Sequence, residues 1–317
     1  MELIRGIHNI HPEHAGCVLT IGNFDGVHCG HQAVLRRLQE QAKVLGLPSC
    51  VMVFEPQPLE FFAPDRAPAR LSRLRDKYDA IAALGIDRLL CVKFDQTFAE
   101  LSATAFIEDI LVKKLSVRFL VIGDDFRFGL QRSGDFSLLV EAGKRYGFQV
   151  LSTDTLLHEQ QRVSSTLLRE ALKDGRLADV ERMLGHPYCI TGRVAHGAKL
   201  GRTIGFPTAN IHLKRLVVPI QGVYAVQIVI ADNTYFGVAN IGFRPTVNGT
   251  RSQLEVHIFD FQDDLYGKQL QIRVCHKLRD EQKFSSFTAL QTQITADARY
   301  ARQWFGLSDT AVAPDGI

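Results

Sequence analysis

None of the six cysteines (Cys17, Cys29, Cys50, Cys91, Cys189 and Cys275) stands in a CxxC pair, so they read as reduced, mostly buried thiols of a cytosolic protein. No apolar run approaches the length of a membrane-spanning helix. The N-terminus has no basic segment followed by a long apolar stretch, so no signal peptide is expected. Charge excess is also lacking: 37 basic against 34 acidic residues give a formal net charge of +3, which leaves no electrostatic footprint for nucleic acid or a membrane surface. Internal repeats are absent. These absences point to a cytoplasmic protein without nucleic-acid or membrane partners; the oligomeric state is open, with a monomer the expectation. Its 317 residues suffice for two domains, and the apolar fraction of 46% suits packed cores. Ser308 to Ile317 are small and polar and read as a frayed end.

What is present centres on Val18-Leu19-Thr20-Ile21-Gly22-Asn23-Phe24-Asp25-Gly26-Val27-His28-Cys29-Gly30-His31. An apolar run that suits a buried strand ends in a glycine-rich turn, and Val34, Leu35, Leu38 and Leu45 then recur near helical spacing. Strand, glycine turn and helix bring backbone N–H groups and a helix N-terminus up to a phosphate. The pattern is neither GxGxxG nor GxxxxGK[ST]. It adds His28 and His31, which either donate to phosphate oxygens or simply cap the helix. A zinc pair is disfavoured because no further Cys or His lies nearby in ligand spacing.

Further apolar runs fall at 50–54, 88–92, 119–122 and 147–151, with helical patterns between them at 72–84, 103–115 and 136–146. Near-continuous apolar strands alternating with helices predict a parallel sheet covered on both faces. Ligands of such sheets bind beyond the carboxyl ends of the strands. Asp25, His28 and His31 follow the first of these strands, Pro56, Pro58 and Phe62 the second, and Asp125 and Phe128 a later one. Each segment alone needs no more than loop chemistry and core aromatics. Their convergence on one sheet edge argues for a site. Ser164, Ser165, Thr166 and Arg169 open a further helix, where Ser and Thr are ordinary caps.

Helical text ends at Gly185-His186-Pro187, which sets a domain boundary between 186 and 187. Afterwards the period changes to two: 223–230, 235–241, 254–259 and 269–274 read as strands. Several short strands in otherwise helix-free text predict a small antiparallel β-barrel, with a terminal helix from about Phe284 to Phe305. Gly197, Gly201, Gly205, Pro207, Thr208 and Asn210 read by themselves as a Gly/Pro loop joining two strands, with Thr and Asn making local turns. Glu255 shares a strand face with His257, opposite Leu254, Val256 and Ile258.

Gly22-Asn23-Phe24-Asp25-Gly26-Val27-His28-x-Gly30-His31-Gln32 resembles the ATP-binding signature of the bacterial bifunctional riboflavin kinase/FMN adenylyltransferase family. That family's N-terminal domain belongs to the HxGH nucleotidyltransferase superfamily. The resemblance continues through Ser164-Ser165-Thr166-x-x-Arg169, through Gly192 to Asn210, through Gly237 to Thr246, and through Leu254 to Asp260 and Leu278 to Phe284. It implies a doubly wound parallel α/β adenylyltransferase domain, residues 1–186, and a small antiparallel β-barrel riboflavin kinase domain with a C-terminal helix, residues 187–317. The first would adenylylate FMN to FAD with release of pyrophosphate, and the second would phosphorylate riboflavin to FMN. Both would use ATP and Mg²⁺.

By resemblance, ATP in the adenylyltransferase falls to Gly22, Asn23, Phe24, Asp25, His28, His31, Ser164, Ser165, Thr166 and Arg169. Flavin falls there to Pro56, Pro58, Phe62, Asp125 and Phe128. In the kinase, Gly197, Gly201, Gly205, Pro207, Thr208 and Asn210 would hold ATP, with Thr208 and Asn210 also as Mg²⁺ ligands. Glu255 would be the general base and Arg279 would contact phosphate or flavin. Two other readings are a different HxGH nucleotidyltransferase, which a chain ending near 186 would favour, and a flavin-binding regulatory module without turnover, which loss of these polar groups would signal.

Overall fold

The computed structural model describes residues 1–123, 125–153, 157–158, 161–196, 205–213, 218–231, 233–246 and 249–308. Gly197 and Gly201 therefore lie outside the described residues. The chain divides into two compact units, Met1–Pro68 with Ser72–Ser165, and Ala69–Leu71 with Thr166–Ile317.

The first unit carries strands β1 (Glu2–Arg5), β2 (Val18–Ile21), β3 (Ser49–Glu55), β4 (Arg88–Lys93), β5 (Phe119–Gly123) and β6 (Gln149–Thr153), then a two-residue pair, β7 (Leu157–His158) and β8 (Gln161–Arg162). Its helices are α1 (Cys29–Leu45), α2 (Pro58–Phe62), α3 (Leu74–Ala83), α4 (Gln96–Ala99), α5 (Ala103–Ala105) and α6 (Phe136–Tyr146). The main sheet is parallel throughout, in the order β1-β4-β3-β2-β5-β6. Both faces are covered because the apolar runs are continuous. Leu19, Ile21, Met52 and Leu120 enter one core, and Val18, Val51, Leu89 and Val121 enter the other with Leu35 and Leu38 of α1. The order places β2 between β3 and β5, so the connections from β2 and from β5 leave in opposite directions. Such a switch point opens a crevice at the carboxyl ends of those two strands.

The sequence reading and the structure differ locally. Leu45 was expected on the buried face of α1 but is 42% exposed, and Ala42 is buried instead. Gly46 stops the helix in a left-handed cap, so its last turn lies past the core. The helix expected over 103–115 turns π-helical over Phe106–Lys114, and its end is marked by a Leu115 N–H donating to the Ile110 carbonyl. Strand β1 was not anticipated.

The second unit begins with α7 (Ser165–Lys173, whose first residue belongs to the first unit) and α8 (Leu177–Leu184), which ends at Gly185 in a left-handed cap. Strands β9 (Cys189–Ala195), β10 (Ala209–His212), β11 (Gly222–Ile230), β12 (Asn233–Thr246), β13 (Gly249–Ile258) and β14 (Gln269–Arg279) close into an antiparallel barrel, β10-β13-β12-β11-β14-β9. Leu254, Val256, Ala239, Ile241, Val226 and Ile272 are fully buried in it. Helix α9 (Phe287–Trp304) covers one outer side through Ala298 and Ala301 against Ala225 and Phe259.

An ion pair, buried at Asp297 and half-buried at Arg279, ties α9 to the barrel. Arg279 at the end of β14 donates from Nε and Nη2 to Asp297, at 3.0 and 2.8 Å, and Gln293 donates to the same carboxylate at 2.9 Å. Removing one partner leaves the other charge desolvated without compensation. Asp297→Ala is therefore expected to destabilise the barrel unit by about 3 kcal/mol, and Arg279→Met added to it should recover part of the loss. Chemical denaturation of the two variants checks both.

Candidate active sites

The turn after β2 lies at the switch point. Its backbone is strained: Phe24 and Val27 take positive φ (46° and 42°) on either side of Gly26 (85°). Asp25 fastens it. Its buried carboxylate Oδ1 accepts from the N–H and the hydroxyl of Ser72, at 3.0 and 3.2 Å, and the Ser72 hydroxyl oxygen accepts from the Gly26 N–H at 3.0 Å. The Ser165 hydroxyl donates to the Asp25 carbonyl at 3.1 Å. This set holds the strained turn in one shape, which makes Asp25 a structural clamp here. Asp25→Ala is expected to cost about 2 kcal/mol by orphaning buried donors, and thermal unfolding checks this.

His28 caps α1, as one reading of the sequence allowed: its Nδ1 accepts from the His31 N–H at 3.3 Å. The two rings stack with centroids 3.7 Å apart, and Phe24 lies 5.0 Å from His31. His31 Nδ1 is buried without a hydrogen-bond partner among the described residues. Burial, then His28 and Lys77, push the His31 pKa well below the ordinary value of 6.5. A neutral ring with an unpartnered buried nitrogen is best served when that nitrogen is a bare acceptor, because orphaned N–H donors are the rarer state. Because His28 Nδ1 is an acceptor, its proton in the neutral ring sits on Nε2, and the same tautomer of His31 leaves no buried N–H orphaned among the described residues.

Lys77 was missed by sequence reasoning. It is 1% exposed on α3, on the same buried face as Ile81. A lysine at i−4 from a core isoleucine was the available signal. Beyond β3, Pro56 and Pro58 flank Gln57, whose Nε2 is buried without a partner among the described residues. Phe62 is 64% exposed and packs edge-on to Phe61 and Phe94. Beyond β5, Asp125 is exposed, whereas Phe128 is only 8% exposed and packs against Phe106 and Phe126. The half-buried Phe126 ring lies nearly parallel to that of Phe128. Ser164 is half-buried. Thr166 and Arg169 belong to the second unit, where Arg169 Nε donates to the Ala69 carbonyl at 2.6 Å.

On the barrel, strand register builds the second constellation. Asn210 of β10 and Asn240 of β12 both lie directly opposite Glu255 of β13. Directly opposed residues share a face, so the three form a row across three strands on the outside of the barrel. Gln253 Nε2 donates to Asn210 Oδ1 at 2.6 Å and to Glu255 Oε1 at 2.8 Å. Asn210 Nδ2 faces the Thr208 carbonyl at 3.5 Å. Asn240 Oδ1 is buried without a partner among the described residues. Gly205, Pro207 and Thr208 are exposed beside it in sequence, and the Pro207 carbonyl meets His257 Nδ1 at 2.9 Å. Burial lowers the His257 pKa. The Glu281 carboxylate lies over Gly242, where any side chain would collide with it. Gln253 was missed because Asn210, the partner that ties it to the row, lies 43 positions away; Asn240 was read within a motif but given no role, since only the β12–β13 register sets it opposite Glu255. Arg279 is occupied by Asp297 and also lies 5.6 Å over the Phe284 ring.

The FAD synthetase family model matches residues 10–167, and the riboflavin kinase family model matches residues 184–305. The bifunctional riboflavin kinase/FMN adenylyltransferase of Escherichia coli strain K12 is 56% identical over 313 residues, covering 98% of this chain and 100% of that one. The protein of the same name from Haemophilus influenzae is 53% identical, covering 96% and 99%. A solved structure described as a macrolide-efflux protein from Streptococcus pneumoniae superposes with a TM-score of 0.79 at 32% identity, over 96% of this chain and 100% of that chain.

Proposed function

The chain belongs to the bifunctional riboflavin kinase/FMN adenylyltransferase family, and from that membership we propose how its residues divide the two reactions. The kinase half phosphorylates riboflavin to FMN, and the adenylyltransferase half converts FMN to FAD; ATP and flavins are the substrates of both. The observation that carries the division is that each unit holds its own polar constellation, the stacked histidines at the switch point and the Asn210–Glu255–Asn240 row on the barrel.

In the barrel, Glu255 takes the proton of the riboflavin 5′-hydroxyl as that oxygen attacks the ATP γ-phosphorus, and ADP leaves. Asn240 Oδ1, a buried acceptor with no donor among the described residues, suits a ribityl hydroxyl. Thr208 and Asn210 offer hard oxygen atoms, and the described residues contain no cluster of three His, Cys, Asp or Glu. That donor set fits Mg²⁺, which binds few protein oxygens beside substrate phosphates. When bound, the ion screens triphosphate charge. The exposed loop residues Gly205 and Pro207 border this centre.

In the first unit, an FMN phosphate oxygen attacks the ATP α-phosphorus, the bond to the bridging oxygen breaks, and pyrophosphate leaves. His28 and His31 donate from Nε2 to the phosphate chain as charge builds on the leaving group. Gly22, Asn23 and Phe24 shape the turn, and Asp25 and Ser165 clamp it. Phe62 and Phe126, the more exposed rings at that edge, fit the flat isoalloxazine better than the buried Phe128, beside Pro56, Pro58 and Asp125. The scattered free thiols support a cytoplasmic location and the even charge balance gives no footprint for nucleic acid, while no described helix is long and apolar enough to cross a membrane.

A single chromatographic time course tests the reading. Purified protein with riboflavin, ATP and Mg²⁺ should yield FMN with ADP, then FAD with pyrophosphate. Absence of both flavin products would move the assignment to another substrate or to a binder without turnover.

A further inference from the structure

We propose that Gln253 is a positioning residue of the kinase centre, whose side-chain amide sets the base and the neighbouring asparagine oxygen at one fixed separation. The inference rests on the placement of Glu255 and Asn210 in that centre. Gln253 Nε2 carries two hydrogens and uses both, one toward Asn210 Oδ1 at 2.6 Å and one toward Glu255 Oε1 at 2.8 Å. Two acceptors on one planar NH₂ group are held about 4–5 Å apart by its geometry. Such a gap is too wide for the two oxygens to touch and narrow enough for both to reach one hydroxyl–phosphate pair.

The orientation of every group in the set is fixed by chemistry. The Gln253 amide cannot be turned over, because its oxygen would then face a carboxylate oxygen and a carbonyl oxygen. Asn210 cannot be turned over either, because its NH₂ would then face the Gln253 NH₂ instead of the Thr208 carbonyl. Gln253 thus decides which atom of Asn210 looks toward the space beside Glu255. It also holds the carboxylate by Oε1.

The packing of the barrel interior does not call for a glutamine here. Gln253 is half-buried on the outer face of β13, while Leu254, Val256 and Ile258 on the opposite face fill the barrel. In the β12–β13 register it lies opposite Gly242, which has no side chain, and in the β10–β13 register opposite His212. The Glu281 carboxylate over Gly242 adds negative charge nearby, so an oxygen-only side chain at 253 would be surrounded by acceptors.

Three variants separate this role from packing. Gln253→Glu keeps the shape and replaces the donor with a charged acceptor; Gln253→Leu removes all hydrogen bonding; Gln253→Asn is one methylene too short to reach both partners. The proposal ranks Gln253→Glu as the most damaging, with kinase kcat lowered about 10–100-fold, Gln253→Leu next and Gln253→Asn mildest, each with riboflavin KM changed less than about threefold. A packing role would instead make the isosteric Gln253→Glu the mildest. A second readout does not depend on turnover. The gain in ADP affinity on adding Mg²⁺, measured by calorimetry, should shrink in Gln253→Glu and Gln253→Leu. FAD formation from supplied FMN should not change, and riboflavin binding by fluorescence quenching reports that the barrel is folded. Gln253→Glu with kinase kcat within twofold of wild type, or a loss confined to riboflavin KM, overturns the proposal. Glu255→Ala is assayed in parallel. If Glu255→Ala keeps full kinase activity, the placement of the base has failed; if Glu255→Ala is inactive while Gln253→Glu is active, the positioning role alone has failed.

Discussion

Glu255→Ala is expected to slow FMN formation about 10²–10⁴-fold and to leave FAD formation from supplied FMN at the wild-type rate. The magnitude is that of one positioned general base in a reaction whose remaining catalysis comes from holding ATP in line. The direction follows from placement. Glu255 lies on the outer face of the barrel between Asn210 and Asn240, and its strand neighbours Leu254 and Val256 carry the packing. Truncation there removes no core contact, so the barrel should remain folded. Glu255→Gln sharpens the test. It preserves the length of the side chain and can still accept a hydrogen bond from Gln253, but an amide cannot take the proton. A general base predicts that Glu255→Gln fails as badly as Glu255→Ala, with riboflavin KM little changed. A merely orienting side chain predicts that it works. Time courses that quantify ADP with FMN, and pyrophosphate with FAD, read both halves in one experiment. Loss of both activities in a folded variant would end the assignment of the two reactions to separate units.

Much of this could be read before any coordinates. Helix α6 was placed residue for residue at Phe136–Tyr146 because its apolar period was clean and Gly147 follows it. Strands β2 to β5 announced themselves as apolar runs, since a parallel strand buried on both faces has no polar side to interrupt it. Strand β1 did not, because Glu2-Leu3-Ile4-Arg5 is too short to show a period and takes its place only by pairing with β4. Strands β9 and β10 were hidden in text rich in glycine and proline. The π-helical turn at Phe106–Lys114 was invisible, since one extra residue per turn changes hydrogen bonding more than it changes composition. At the sites, local motifs exposed His28, His31 and Glu255. The residues that orient them were not legible: Ser72 reaches Asp25 across 47 positions, and Gln253 reaches Asn210 across 43. Arg279 is a like case. Its motif suggested a ligand, and its ion pair with Asp297, 18 positions on, was not legible there.

His31→Ala should lower FAD formation about 10²–10³-fold, the usual loss for one preorganised donor at a site of developing charge, with FMN formation unchanged. His28→Ala should do the same, and it also removes the cap of α1, so its thermal midpoint should fall further than that of His31→Ala. The pH behaviour separates a neutral donor from a cation. The folded pKa of His31 is depressed by burial, by His28 and by Lys77, and that of the unfolded chain is near 6.5. Below 6.5 the unfolded chain therefore binds a proton that the folded unit refuses. The contribution is fully present above 6.5, and stability is lost as pH falls from 6.5 toward the depressed folded value, with a slope of at most about 1.4 kcal/mol per pH unit for one proton. His31→Gln removes the titrating ring while placing an N–H donor near the former Nε2. It should flatten the decline of the urea midpoint between pH 7 and pH 5 and recover part of the adenylyl transfer rate lost in His31→Ala. Above pH 6.5 the wild-type rate should not change through His31, because the ring is already neutral there. A wild-type rate that falls as pH rises from 6.5 to 8, with pyrophosphate release tracking imidazolium, would show that the leaving phosphates are met by charge and not by a neutral Nε2–H.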